Sequence, residues 1–209
     1  MVKTVSPSNT ELTSGQTAKI LELFSAGLRK SGLQNEAVQH VMTEQGPALV
    51  AELIAVVRTR VEAVSALVVR SWTSDRTRTS EQVIKETGRR QYVDANVVKT
   101  MPRGTGSHGQ TTFFKLDLSK RGGYISCADL GKEFALRALL PEYPDHLADI
   151  NKADPVFADT HPNATQWQDA DGNYCYAIFG RWVGERFVSV NRFGNDWRGS
   201  YWFAGRPQE

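Results

Sequence analysis

Cys127 is the residue of this chain best placed for covalent chemistry. It follows Ser126, which with Asp129 three residues on has the spacing of a helix N-cap, so the thiol falls on the first helical position. Backbone amides and the helix dipole favour a thiolate there, the activated form that a cysteine hydrolase or transferase uses as nucleophile. A base would have to come from His108, His146 or His161, and Asp159 places a carboxylate two residues from His161. None of the three stands in a diagnostic motif. A small cysteine buried at a helix start is the plainer account.

Other site chemistry is served less well. Cys127 and Cys175 with four scattered histidines lack the paired spacings of a zinc site. Asp169 to Asn173 opens like a calcium loop, but Tyr174 stands where such a loop needs glycine and Gly180 where it needs glutamate. The glycine-rich stretch Gly104 to Gly109 precedes an expected strand, whereas phosphate loops follow a strand and open a helix. Neither a metal nor a cofactor is expected.

A second candidate is electrostatic. The formal net charge of +2 is too small to argue for nucleic acid or membrane. Its distribution says more. Arg58 to Arg90 is rich in base, Glu142 to Asp171 carries seven acidic residues against Lys152 alone, and the final segment is basic again. Arg181, Arg186, Arg192 and Arg198 are interleaved there with aromatic residues, Trp197 among them. That is the composition of a surface that stacks bases and neutralises the phosphates of a single strand. No ribonucleoprotein signature or helix-turn-helix pattern accompanies it, and pairing of acidic with basic segments inside the fold explains the same charges.

These residues need elements to hold them. Four of the five tryptophans, Trp167, Trp182, Trp197 and Trp202, fall in the last 43 residues, in segments that alternate like strands and are punctuated by glycine. Tyr174, Tyr176 and Ile178 should share one face of a strand, with Cys175, Ala177 and Phe179 on the other. Asp171-Gly172 is a strong tight-turn signal before it. Upstream, residues 1–15 read as a flexible polar arm and residues 16–71 as a helical unit of three helices. The third of these, helix 47–69, starts on Pro47 and carries Leu49, Val50, Leu53, Ile54, Val57, Val61, Val64 and Val68 on one broad apolar stripe. Residues 72–80 read as a linker, and 81–209 as an α+β domain ending in a β-meander. The stretch 142–162, rich in proline and aspartate, is expected to be irregular with one helical turn.

The fold class that follows is α+β: an N-terminal helical unit, then short helices packed on a small antiparallel, aromatic-rich sheet. Glu52, Arg58, Arg60 and Glu62 interrupt the longest apolar run, so a membrane span is not expected. The absence of a leader-like segment and the two cysteines point to a reducing, cytoplasmic setting. The first functional expectation is a non-enzymatic interaction protein that engages a protein partner, or its own copy, through helix 47–69 or the aromatic sheet. A single-stranded nucleic-acid binder and a Cys127-dependent enzyme are the alternatives.

Overall fold

The computed structural model describes residues 12–65 and 67–208. Of the arm expected over residues 1–15, residues 1–11 lie outside the described residues, and Ser14 and Gly15 already belong to a helix. The chain forms two compact units that meet in sequence at Arg60 and Val61.

The first unit is helical, with two helices where three were expected. Helix α1 (Ser14–Lys30) opens on a capping box in which Thr13 and Gln16 bond each other's backbone, and it ends with Arg29 and Lys30 against the helix dipole. Helix α2 (Asn35–Ser65) runs straight through Gly46 and Pro47. The break expected at this pair does not occur, and the preceding helical turn is retained. None of residues 12–57 is buried.

The second unit is α+β, as the sequence reading has it, but its sheet is neither small nor wholly antiparallel. The expected helix 47–69 stops at Ser65, and Leu67–Thr73 forms strand β1. Val68 therefore leaves the helical stripe and becomes fully buried core. The β-branched pair Val68-Val69 suits a pleat, and β1 is held by antiparallel pairing along its whole length to β3 (His108–Lys115). Helix α3 (Ser80–Lys85), strand β2 (Arg90–Val93) and helix α4 (Ala95–Thr100) lie between them in sequence. Then follow β4 (Tyr124–Ile125), α5 (Cys127–Leu136), β5 (Leu139–Pro141), α6 (Pro144–Ala153), α7 (Phe157–Thr160), β6 (Asn163–Gln168), β7 (Tyr174–Trp182), β8 (Glu185–Arg192), β9 (Trp197–Arg198) and β10 (Trp202–Pro207).

The main sheet runs β1-β3-β10-β6-β7-β8-β2, with β5 also pairing to β10. The meander β6-β7-β8 is antiparallel as expected, turning at Gly172 with its positive φ. β10, however, leaves the meander to pair antiparallel with β3 and parallel with β6, and β2 joins β8 in parallel. Strand alternation builds two cores. Phe113, Ala177, Phe179, Val188, Val190 and Ala204 face α3, α4, α6 and α7, while Phe114, Ala164, Ile178 and Phe203 face α5 and Trp197.

Helix α6 corrects the expectation of an irregular 142–162. Its polar residues Asp145, His146, Asp149 and Asn151 are all buried, which hides the helical period from a sequence reading. Most of their polar atoms are paired within the second unit, His146 Nε2 and Asp149 Oδ2 being the exceptions among the described residues. The Asp145 carboxylate accepts from the Arg76 guanidinium at 2.8 Å, the Gly104 amide at 3.2 Å and the His146 amide at 3.0 Å. Arg78 bonds Asp149 at 2.6 Å. His146 Nδ1 lies 3.0 Å from Glu142, whose other oxygen takes the Thr111 hydroxyl at 2.5 Å. The His146 ring stacks on Trp72 with centroids 3.5 Å apart. The segment 72–80, read as a linker from its polarity, thus contributes the end of β1, the Thr79 cap of α3 and two arginines clamped onto α6.

Gly104 closes this cluster. A Cβ there would stand 2.1 Å from His146 Cε1. Gly104→Ala is therefore expected to cost about 3 kcal/mol. Gly131→Ala, in α5 with open space around it, should be neutral or stabilising by up to about 1 kcal/mol. Urea midpoints of the two variants against the parent check both signs.

Candidate functional site: the open aromatic face of the sheet

The strand pair β7–β8 presents two unlike faces. Register pairs Ile178 with Ser189, Gly180 with Phe187 and Trp182 with Glu185, and Tyr92 of β2 sits opposite Ser189. Tyr176, Ile178, Trp182, Phe187 and Tyr92 therefore lie on one side. The opposite side is sealed beneath helices. No helix covers this second side at the β2 end among the described residues: Trp182 is 71 % exposed and Tyr92 44 %. Tyr124 on β4 stands nearby in the chain's second concavity and is 49 % exposed.

Two concavities mark the face. One, of about 270 Å³, is lined by Arg90, Tyr92, Trp182, Val183, Glu185 and Phe187. The other, of about 620 Å³, is bordered by rings of Tyr124, Tyr176, Phe193, Trp197 and Tyr201 with Asp196 and Arg198 among them. Its floor is rigid. Phe193 stacks on Trp197 at 4.5 Å, Tyr176 meets Phe193 edge-on at 5.2 Å, and Tyr201 meets Trp197 edge-on at 5.7 Å. Trp197 is itself buried and anchored by its indole N–H donating to Gln166 at 2.7 Å, while Gln166 donates to the Cys127 carbonyl at 2.8 Å. Charge on the face cancels: Arg90 pairs with Glu185 at 2.9 Å.

The tip of the β7–β8 hairpin is strained. Val183 and Gly184 form its two-residue turn with φ of 48° and 82°. This is the pattern of a type I′ turn, which asparagine and glycine fill without cost. A β-branched residue in that region is an outlier costing about 1–3 kcal/mol. Val183 is 88 % exposed, so no packing offsets the strain. The turn carries two neighbouring apolar side chains, Trp182 and Val183, into solvent at the rim of the smaller concavity.

No family model, curated protein or solved structure matches this chain. The geometry alone bears on its role.

The sequence-derived nucleophile is not assembled. Cys127 lies in the core on the α5 side of the sheet, where burial pushes its thiol up to about 11. His161 packs between Phe157 and Trp202 on the other side, and His146 is enclosed with Glu142 and Trp72. Asp159 is committed elsewhere. It takes Arg186 at 2.8 Å and Arg181 at 3.3 Å, and the bonds from Arg186 hold its carboxyl below the usual carboxylate range. The helix-start position of Cys127 and the Ser126 cap are as expected, with the Asp129 amide bonding the Ser126 hydroxyl at 3.1 Å. Desolvation outweighs the dipole. Among the described residues no cluster of histidine, cysteine and carboxylate is arranged to hold a metal ion.

The arginines expected to read a single strand are not brought together with the rings. Alternation places Arg181, Arg186 and Arg192 with the helix-covered face, opposite the exposed aromatics. Arg192 is paired with Asp169 at 3.0 Å. Of the four, Arg198 alone joins the aromatic face, lying over the Tyr124 ring at 5.9 Å. Trp197, expected to stack on a base, is a buried strut. Of the exposed rings, Trp182 belongs to the tryptophan cluster of the sequence, whereas Tyr92 and Tyr124 carry no sequence signal, because β2 and β4 reach this face through pairings that no local pattern announces.

Two measurements follow. Thiol labelling of native protein at neutral pH should be well below a free-cysteine rate, accelerating only as the pH climbs towards about 11 or on unfolding. Val183→Asn should relieve the turn and raise unfolding free energy by about 1 kcal/mol in denaturant titrations.

Proposed function

We propose that this chain is a non-enzymatic interaction protein of the cytoplasm that recognises a protein partner with its open aromatic face and associates with its own copies through the apolar helix α2. The observation that carries the first half is the inequality of the two faces of β7–β8. A sheet side that only had to be tolerated in water would carry polar residues in alternation. This one instead carries Trp182 and Tyr92 in the open and Phe187 and Tyr176 only partly buried, with Arg90 and Arg198 beside them. Tryptophan, tyrosine and arginine are the residues in which binding energy at protein interfaces concentrates. Trp182 has the attributes of an anchor: large, exposed and held out by a turn that gives up stability to hold it. Cancelled charge favours a protein segment over a phosphate backbone. Two free, buried cysteines agree with a reducing compartment.

The second half rests on the first unit, in which Ile20, Leu21, Phe24, Leu28, Met42, Val50 and Ile54 are exposed and no side chain of residues 12–57 is buried. Among the described residues no helix is long and apolar enough to cross a membrane, so these side chains are best covered by protein.

The face is tested with a random peptide library displayed on phage, selected in parallel on the parent and on Trp182→Ala, with soluble single-stranded oligonucleotides as the contrasting probe. Peptides enriched on the parent should lose at least tenfold in affinity on the variant, whose fold loses little packing because Trp182 is largely exposed. Equal enrichment on both proteins, or salt-dependent tryptophan quenching by oligonucleotides without peptide binding, overturns the reading.

A further inference from the structure

The larger concavity differs from the rest of the strand surface in what its polar groups do. It lies away from Trp182, which stands six residues beyond Tyr176 on β7, about 20 Å along the strand. Elsewhere on these strands the charged side chains are committed: Arg90 to Glu185, Arg181 and Arg186 to Asp159, and Arg192 to Asp169. In this concavity they are not. Asp196 and Arg198 border it two residues apart, yet neither forms an ion pair among the described residues, and the Arg198 guanidinium lies over the Tyr124 ring. The Asn195 amide and the hydroxyls of Tyr124 and Tyr201 likewise have no hydrogen bond among the described residues. Burial, with Tyr176 close by, holds the Tyr201 hydroxyl above the usual tyrosine range, so it remains a donor.

Three properties of the concavity select its ligand. Its volume, about 620 Å³, is that of a small-molecule site. Its one carboxylate and one guanidinium cancel: an anion would meet Asp196 and a cation Arg198, whereas a neutral ligand uses both. Asp196 only accepts, Arg198 only donates, and Asn195 and the tyrosine hydroxyls do both. That set complements a ring of hydroxyl groups, each of which donates and accepts. The aromatic rings, finally, meet at steep angles, Tyr176 at 74° to Phe193 and 81° to Trp197, and Tyr201 at 83° to Trp197. They make a cup rather than a parallel-sided slot, which suits a puckered ring with an apolar C–H face better than a flat base.

We infer that this concavity binds a neutral saccharide. Tyr124, the most exposed of its rings, packs against the C–H face of a pyranose, Asp196 accepts from the sugar hydroxyls, and Arg198 and Tyr201 donate to them. The floor is already fixed by the Trp197 anchor on Gln166, so few side chains are ordered on binding. This site goes beyond the partner recognition proposed above, which rests on Trp182, and neither requires the other.

Saturation-transfer difference NMR of the full chain tests this with glucose, galactose, mannose, N-acetylglucosamine, maltose and cellobiose, and with choline and adenosine as contrasting probes. At least one saccharide should receive saturation on its ring protons. Asp196→Asn, at an exposed side chain without a hydrogen bond, should leave the fold intact and weaken that binding about tenfold, the loss expected for a hydrogen bond to a charged group. Tyr124→Ala should abolish the transfer and Tyr124→Phe should keep it, with unchanged near-ultraviolet dichroism in both. Trp182→Ala, which removes the proposed peptide anchor, should leave saccharide binding as in the parent. No transfer to any saccharide overturns the site, as does transfer that neither Asp196→Asn nor Tyr124→Ala reduces. Transfer to choline or adenosine alone assigns the concavity to another class of ligand and also overturns it. Each of these results leaves Trp182-dependent peptide selection untouched, so the two readings fail separately.

Discussion

A carboxylate taken wholly out of water has to be compensated on every side, and the second unit is arranged around that demand at Asp145. Its partners come from far along the chain: Arg76 beyond β1, Gly104 in the loop before β3, and its own helix start at His146. Arg103 adds a contact at 3.4 Å. Beside it Glu142 gathers Thr111 from β3 and His146, and its backbone carbonyl takes the Thr165 hydroxyl of β6 at 2.6 Å. Removing one member of such a buried set leaves another charge uncompensated, which costs about 3–5 kcal/mol. The knot therefore fixes where α6 lies, and α6 in turn seals one face of the sheet. Its enclosure is also why Glu142 and His146, a pair of groups suited to proton transfer, read as structure: the Trp72 ring and Gly104 cover the imidazole.

With one face closed in this way, the other is free to do something else. The residues that make the site and those that make the core alternate along the same strands, so the rings at Tyr176 and Phe187 inherit the rigidity of Ala177 and Val188 beneath the backbone. A sheet side whose reverse is locked would lose little ordering entropy on binding, as the proposed recognition role requires. The hairpin tip is the exception, being held in an unfavourable backbone region with its apolar side chains in water.

What could be read from sequence, and what could not, follows the range of the interaction concerned. The Ser126 cap, the Gly172 turn and the alternation of Tyr174 to Phe179 are set by neighbours within a few residues, and all stand where expected. Helix α6 was hidden because its buried face is made of aspartate, histidine and asparagine, which carry no apolar period and depend on arginines about seventy residues away. The stretch from Val61 to Val69 was read as helix throughout because a run of valines satisfies both periods; pairing with β3 decides it. The candidate site was half legible. Its β7 side was visible, whereas Tyr92 arrives by a parallel pairing with β8 and Arg198 by the small β4–β9 ladder.

The position of β10 has a consequence for synthesis. This strand fills the gap between β3 and β6, yet it follows every other strand in the chain. As the polypeptide emerges, the hairpin-like pair β1–β3 and the ribbon β6–β7–β8–β2 exist as separate pieces, each with a raw edge bearing unpaired amides and neighbours as apolar as Phe113 and Phe114. Such edges recruit other chains. Until residues 202–207 are delivered the two half-sheets cannot join, so the main sheet closes only with the last of its strands.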